Sequence, residues 1–256
     1  TSNILVAQAT SREMNPSLSQ VVVDRALADD LASASAEYLA QFRSDVETFV
    51  TIEVVQNCTR RSPMHQPYDS KFSYKAFVDP SGGMADAYTL AISHLEEDRI
   101  IIDYVGIVRP PFSPESVTAE FAQVLKDYKI RTVVGDAYAG EWPREQFMKR
   151  GIAYIKSDKN KSELYRELLP LLNSERVELP PMTNLEKELV QLERRTTRGG
   201  RDSIDHPPSG HDDIANVVAG AAVRHVGHKS VANPFPNQTD IYGFYSPKKY
   251  GYRMNA

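Results

Sequence analysis

Residues 71–173 run in one order: three β-rich stretches, then helix, strand, helix, strand, helix. This order constrains the fold more than any other feature of the chain. Phe72, Tyr74, Ala76 and Val78 repeat at period two, and Tyr88–His94 and Arg99–Arg109 follow as β-rich runs. Gly82-Gly83 and Glu97-Asp98 stand at the turns, which predicts a three-stranded meander. Ser113-Pro114-Glu115 is a helix start, and Val117, Phe121, Val124, Leu125 and Tyr128 then share one face. A buried strand at Thr132–Val134 precedes a helix over Trp142–Arg150 that Gly151 stops. A strand at Ile152–Lys156 and a helix from about Lys159 to Asn173 complete the alternation. Such an order builds an α/β protein with one sheet between helices.

The flanks read differently. Leu18–Phe49 is alanine-rich with helical spacing and predicts two short helices. A helix from Leu185 to Arg194 runs into an arginine-rich segment whose Gly199-Gly200 pair suits a hairpin tip. After His206-Pro207-Pro208 a last helix carries Ile214, Val217, Val218 and Ala221, and 227–256 has the composition of an irregular tail. The expected organisation is a helical segment over 1–60, a main domain over 61–226 and the tail. At 256 residues and 41% hydrophobic, the chain can bury a sizeable core. Its longest strongly apolar run, Ile100–Val108, is broken by Asp103 and is far short of the ~20 residues of a membrane helix, so no membrane association is expected. The chain begins at Thr1 without a leader, which suggests a piece of a longer protein. The single cysteine, Cys58, has no His or acid beside it in sequence and reads as a small buried hydrophobe. No phosphate-binding loop with its Gly-Lys-Ser/Thr ending is present, so ATP hydrolysis is not expected.

The acids carry the chemistry. Asp79 directly follows the first predicted strand, Asp136 follows the fourth, and Asp212-Asp213 begins the last helix. Two strand-end acids lie side by side when their strands are neighbours. Phosphodiester hydrolysis benefits from two divalent ions about 4 Å apart, one generating hydroxide and the other stabilising the leaving oxygen. Hard ions such as Mg²⁺ and Mn²⁺ take oxygen ligands of this kind. Each acid also has an ordinary structural use: Asp79 opens a turn with Pro80-Ser81-Gly82, and either aspartate of the pair suits a helix N-terminus.

Taken in order, Asp79-Pro80-Ser81-Gly82-Gly83 with Asp86, Val133-Val134-Gly135-Asp136-Ala137-Tyr138-Ala139-Gly140, and Gly210-His211-Asp212-Asp213-Ile214-Ala215-Asn216 resemble the three acidic motifs of viral terminase large-subunit nuclease domains. Lys161–Tyr165 and Leu192–Thr196 resemble the segments between them, and residues 10–45 resemble the region joining the terminase ATPase to its nuclease. The resemblance spans about 61–226. It implies a ribonuclease H-like mixed sheet flanked by helices, two Mg²⁺ or Mn²⁺ ions, and endonucleolytic cutting of concatemeric double-stranded viral DNA. By the same resemblance the terminase small subunit and portal are partners, and the work is done in the host cytoplasm at the procapsid. Asp79, Asp136 and Asp213 are the implied catalytic, metal-binding acids, with Asp212 the weaker candidate and Asp86 an acid that orients a ligand or water. A junction resolvase or transposase-like nuclease on the same fold, and a non-catalytic DNA-docking module of a packaging motor, are the alternatives.

The net charge of −4 calls for a local basic patch if DNA is to bind. Arg194, Arg195, Arg198 and Arg201 supply one, positioned for phosphate contact without sequence readout. Lys161, in the first turn of its helix, is a further phosphate contact, and His206 and His211 flank the third acidic motif, where either suits proton transfer or metal binding. Lys248, Lys249 and Arg253 among the tail tyrosines offer a second DNA contact. Helical geometry separates the two adjacent aspartates. At about 100° per residue, Asp213 lies about 90° from the centre of the buried face and Asp212 about 170°. Asp213 is therefore expected to reach the strand ends, and Asp212 to cap the helix or meet solvent.

Overall fold

The computed structural model describes residues 8–41, 46–84, 86–136, 141–196, 202–208 and 210–226. The chain opens with α1 (Ser11–Met14), α2 (Gln20–Asp29), α3 (Leu31–Tyr38), β1 (Val46–Thr48) and α4 (Ile52–Cys58). The meander is β2 (Tyr74–Asp79), β3 (Tyr88–Glu96) and β4 (Arg99–Val108). Next come α5 (Pro114–Asp127), β5 (Thr132–Gly135), α6 (Trp142–Lys149), β6 (Ala153–Lys156) and α7 (Lys161–Asn173). The short β7 (Val177–Glu178), α8 (Thr183–Gln191), β8 (Glu193–Thr196), β9 (Asp202–Asp205) and α9 (Asp213–Val223) follow.

Six strands form one mixed sheet in the order β6-β5-β2-β3-β4-β7. The meander is antiparallel, while β5 joins β2, β6 joins β5 and β7 joins β4 in parallel. Period two sorts the core into two layers. Ala76, Val78, Leu90 and Ile92 face Phe121, Leu125 and Phe147 of α5 and α6. Phe77, Ala91 and Ile102 face the other way, against Leu168 of α7 and Val217, Val218 and Ala221 of α9. Full burial of such side chains stabilises by roughly 1.5–3 kcal/mol each. The helix α9 lies across β2, β3 and β4, and a Cβ on Gly220 would come within 2.3 Å of the Phe77 ring, so a glycine is what allows the approach.

Caps fix several boundaries. Ser113 accepts from Ser116 N–H at the start of α5, with Pro114 at its first turn. A reciprocal pair between Asn160 and Glu163 starts α7 at Lys161, two residues after the expected position. The expected helix over Leu185–Arg194 ends instead at Gln191, and Glu193–Thr196 is a strand. Pairing decides this: β8 is the centre of a three-stranded antiparallel sheet, β1-β8-β9. Arg194 and Arg195 thus stand on a strand, while 197–201, including the Gly-Gly tip, Arg198 and Arg201, lie outside the described residues.

The segment before residue 61 joins the same core: Val55 and Cys58 of α4 are fully buried, and α2 packs on α7. Burial pushes the Cys58 thiol up to about 11, as suits an inert core cysteine. Up to His225 the described residues belong to one compact unit. The expected tail, 227–256 with Lys248, Lys249 and Arg253, lies outside the described residues. Among those described, no helix is long and apolar enough to cross a membrane.

Candidate metal centre

Phe77 and Val78 of β2 stand beside Val134 and Gly135 of β5, so the next residues, Asp79 and Asp136, leave neighbouring parallel strands at the same end. Asp136 N–H donates to Val78 carbonyl at 3.4 Å, which holds that register to the last residue. Gly135 makes room beneath the strand, since a Cβ there would lie 2.3 Å from the Tyr154 hydroxyl. That hydroxyl donates to Asp136 carbonyl at 3.0 Å.

From above the sheet α9 delivers the third acid. Thr89 Oγ1 of β3 donates to Asp213 carbonyl at 3.0 Å, and Asn216, one turn on, donates through Nδ2 to Asp79 Oδ2 at 2.8 Å. Asp79, Asp136 and Asp213 then line one cavity of about 930 Å³ together with Asp86, Lys161, His206, Asp212 and Asn216. Burial pushes the Asp79 carboxyl up to about 7; the Asn216 amide opposes this, and the charges of Asp136, Asp213 and Asp212 add to it. Asp213 is raised for the same reasons, burial first and then Asp212 and Asp86.

The geometry of Asp212 departs from the wheel. Asp213 opens the helix and Asp212 is its N-cap, while every residue from Ile214 to Val223 is buried, so no single face defines the core side. Asp212 neither meets solvent nor caps with its side chain; it is 6% exposed and turned away from the helix start. Its Oδ2 accepts from the Tyr165 hydroxyl at 2.8 Å and lies 3.1 Å from the Lys161 ammonium.

Lys161 is correspondingly engaged. Its Nζ lies 2.7 Å from Asp205 Oδ1 on β9 as well, and although burial opposes it, these two acids raise its pKa. Asp205, His206 and Asp212 have ligand atoms within 4.8 Å of one another, a grouping that could take a metal. The Lys161 ammonium already serves its two carboxylates. His206 is part of that group, whereas His211 is exposed and lowers the Asp213 pKa by its charge. Asp86 is exposed at the rim.

Arg194 and Arg195, the two described arginines of the segment, are not alike. Arg194 is 3% exposed, with both terminal nitrogens on the Asp30 carboxylate at 2.6 and 2.7 Å, so β8 points it inward and it cannot serve the DNA role expected of it. Arg195 on the same strand is exposed, beside Glu193 at 2.7 Å. The alternation of a strand, not the continuous helix expected from the sequence, separates the two.

Four residues that shape the site were given no role by the sequence reading, although Tyr165 and Asn216 stand inside its motifs. Asp205 stands in a turn-rich stretch with no period, and Tyr165 looks like any core aromatic. Asn216 lies three residues after Asp213 on the buried helix, and Glu188 interrupts the apolar stripe of Leu185 and Leu189 on α8. A polar residue within a core stripe is the signal that could have found both.

The fold and the cavity define a ribonuclease H-like mixed α/β protein with a carboxylate cluster at the ends of two neighbouring parallel strands. The chain has the fold of phage large-terminase nuclease domains. The large terminase nuclease from thermophilic phage G20c matches with a TM-score of 0.57 at 20% identity, over 68% of this chain and 97% of that one. The HK97 bacteriophage large terminase matches with a TM-score of 0.56 at 15% identity, over 84% of this chain and 54% of that one. A large terminase from another thermophilic bacteriophage reaches a TM-score of 0.65 at 14% identity. The chain therefore spans about half the length of these two large terminases. The G20c nuclease has also been solved with bound magnesium and with bound cobalt. No protein-family profile and no curated protein matches the sequence.

Proposed function

We propose that this chain is a metal-dependent endonuclease that cuts double-stranded concatemeric viral DNA during genome packaging. The observation that carries the reading is the half-buried Asp79 carboxyl, which shares one cavity with Asp136 and Asp213. Its pKa is pushed up to about 7 by burial and by those neighbouring charges. The donors are oxygen atoms on short, rigid elements, which fits Mg²⁺ or Mn²⁺. Asp79, Asp136 and Asp213 would hold two such ions, with Asp212 contributing less because Tyr165 and Lys161 already engage it. Bound there, the ions supply activation of water and stabilisation of the leaving oxygen.

The chain's own groups do the rest. Asn216 holds Asp79 in one rotamer, and the Thr89 hydroxyl keeps the start of α9 against the sheet. Lys161 neutralises Asp205 and Asp212, which lowers the negative field that phosphate must enter. Arg195, with Arg198 and Arg201, positions the duplex through phosphates. Asp86 at the rim and the exposed His211 orient water or carry protons. The terminase small subunit and the portal are the partners of the longer protein, acting at the procapsid in the host cytoplasm. The chain supplies the nuclease and not the ATPase.

Supercoiled plasmid incubated with Mn²⁺, Mg²⁺ or EDTA tests the reading. Nicking and linearisation with either ion, and none in EDTA, are expected. Cleavage in EDTA would exclude the metal mechanism, and DNA binding without cleavage under any ion would favour a docking module.

A further inference from the structure

The start of α9 is held by a side chain from another helix. Asp212 occupies the N-cap position but makes no side-chain cap bond. The first-turn N–H groups of a helix need acceptors, and an unmet buried donor costs about 1–3 kcal/mol. The Glu188 carboxylate of α8 meets two of them: its Oε2 accepts from Ile214 N–H at 2.8 Å and Ala215 N–H at 2.9 Å. Glu188 is only 9% exposed and lies on the same stripe as Leu185 and Leu189, where an apolar residue would pack without loss if no cap were needed.

We propose that Glu188 is a positioning residue for the acid pair Asp212-Asp213, capping α9 from α8 so that neither aspartate has to. The inference rests on the metal-centre reading above. With the backbone cap supplied from outside, Asp212 turns to Tyr165 and Lys161, and Asp213 stays on the cavity side with its carbonyl on Thr89. Burial, opposed by the two backbone bonds and reinforced by Asp213 and Asp212, pushes the Glu188 carboxyl up to about 7.

The test measures Mn²⁺ binding by isothermal titration on the whole chain, with DNA binding in EDTA and the far-UV spectrum as controls. Glu188→Gln keeps a side-chain carbonyl for both N–H groups and is expected to bind Mn²⁺ within about threefold of wild type, whereas Glu188→Leu should bind it at least ~10-fold more weakly. DNA affinity in EDTA and KM for plasmid should stay unchanged while kcat falls in the leucine variant. If that variant does not fold, Glu188→Asp, one methylene too short to reach both donors, takes its place with the same expected loss. Wild-type Mn²⁺ affinity in the leucine or aspartate variant overturns the inference, as does a glutamine variant as weak as they are, since charge and not the cap would then act. Wild-type protein that binds no Mn²⁺ overturns the metal reading and this inference with it. Tight wild-type binding, lost in Asp79→Asn and kept in Glu188→Leu, overturns this inference alone.

Discussion

Two aspartates of the central sheet, Asp79 on β2 and Asp103 on β4, both have carboxyls raised by burial, yet their surroundings are opposite in kind. Asp103 is fully buried and receives His94 Nδ1 on both oxygens at 2.8 and 2.9 Å. Burial pushes its carboxyl up, and the bond and charge of His94 and the charge of Arg60 pull it back. Asp79 receives the neutral Asn216 amide and faces the charges of Asp136, Asp213 and Asp212. One acid is bonded by an imidazole and lies in the field of a guanidinium; the other lies among more acid. Burial alone therefore does not mark function. Acids crowded together at one end of the sheet mark a candidate site where a single paired acid does not.

The largest effects should fall on cleavage. Asp79→Asn, Asp136→Asn and Asp213→Asn are each expected to reduce plasmid cutting by more than about a hundredfold with folding intact, since each removes a charged ligand and not a core contact. Asp212→Asn should leave a measurable fraction, and Asp103→Asn should cut at close to the wild-type rate. A cleavage-dead Asp103→Asn that is still folded would break the comparison.

Stability should show the reverse ranking. Asp103→Asn leaves His94 without its carboxylate and is expected to destabilise by about 3 kcal/mol, read as a lower denaturant midpoint. Asp79→Asn should instead stabilise the metal-free chain above pH 7. The folded Asp79 carboxyl, raised from 3.8 to about 7, keeps its proton where the unfolded chain has lost it. Its contribution is present below the unfolded pKa and is lost as pH rises through the folded one. In EDTA at pH 8 the variant should therefore melt at least ~4 °C above wild type, and at pH 4 the two should coincide. Equal melting at both pH values would mean that Asp79 is not strained by its neighbours.

The smallest effects concern the arginines. Arg195→Ala with Arg198→Ala and Arg201→Ala should flatten the salt dependence of DNA binding by about one log-log unit per lost contact. Arg194→Ala should leave the slope alone and lower the melting temperature, because its guanidinium serves Asp30. An unchanged slope in the triple variant would place the duplex elsewhere.

What was legible in the sequence follows from how local each signal is. The meander, the Ser113-Pro114 start, the Gly151 stop and the strand-end positions of Asp79 and Asp136 depend on period and turn chemistry, and each stands within a residue or two of its expected place. The adjacency of those two acids needed only that β2 and β5 be neighbours. The short strands β8 and β9 carry no period of their own and exist because β1 and β8 pair across more than a hundred residues of chain. Hence Arg194 was read as a DNA contact on a helix and stands on a strand facing Asp30. The wheel separated Asp212 from Asp213 on the assumption of one buried face, but α9 is buried all round. What distinguishes the two acids is the company of Tyr165, Lys161 and Glu188, all contributed by α7 and α8.

Anomalous diffraction from crystals soaked in Mn²⁺ tests the central claim most directly, because it locates the ion instead of inferring it from activity. The account predicts Mn²⁺ peaks within coordinating distance of Asp79, Asp136 and Asp213, with the Lys161 ammonium still on Asp205 and Asp212. A soak whose only peak lies among Asp205, His206 and Asp212, with Lys161 displaced, would contradict it.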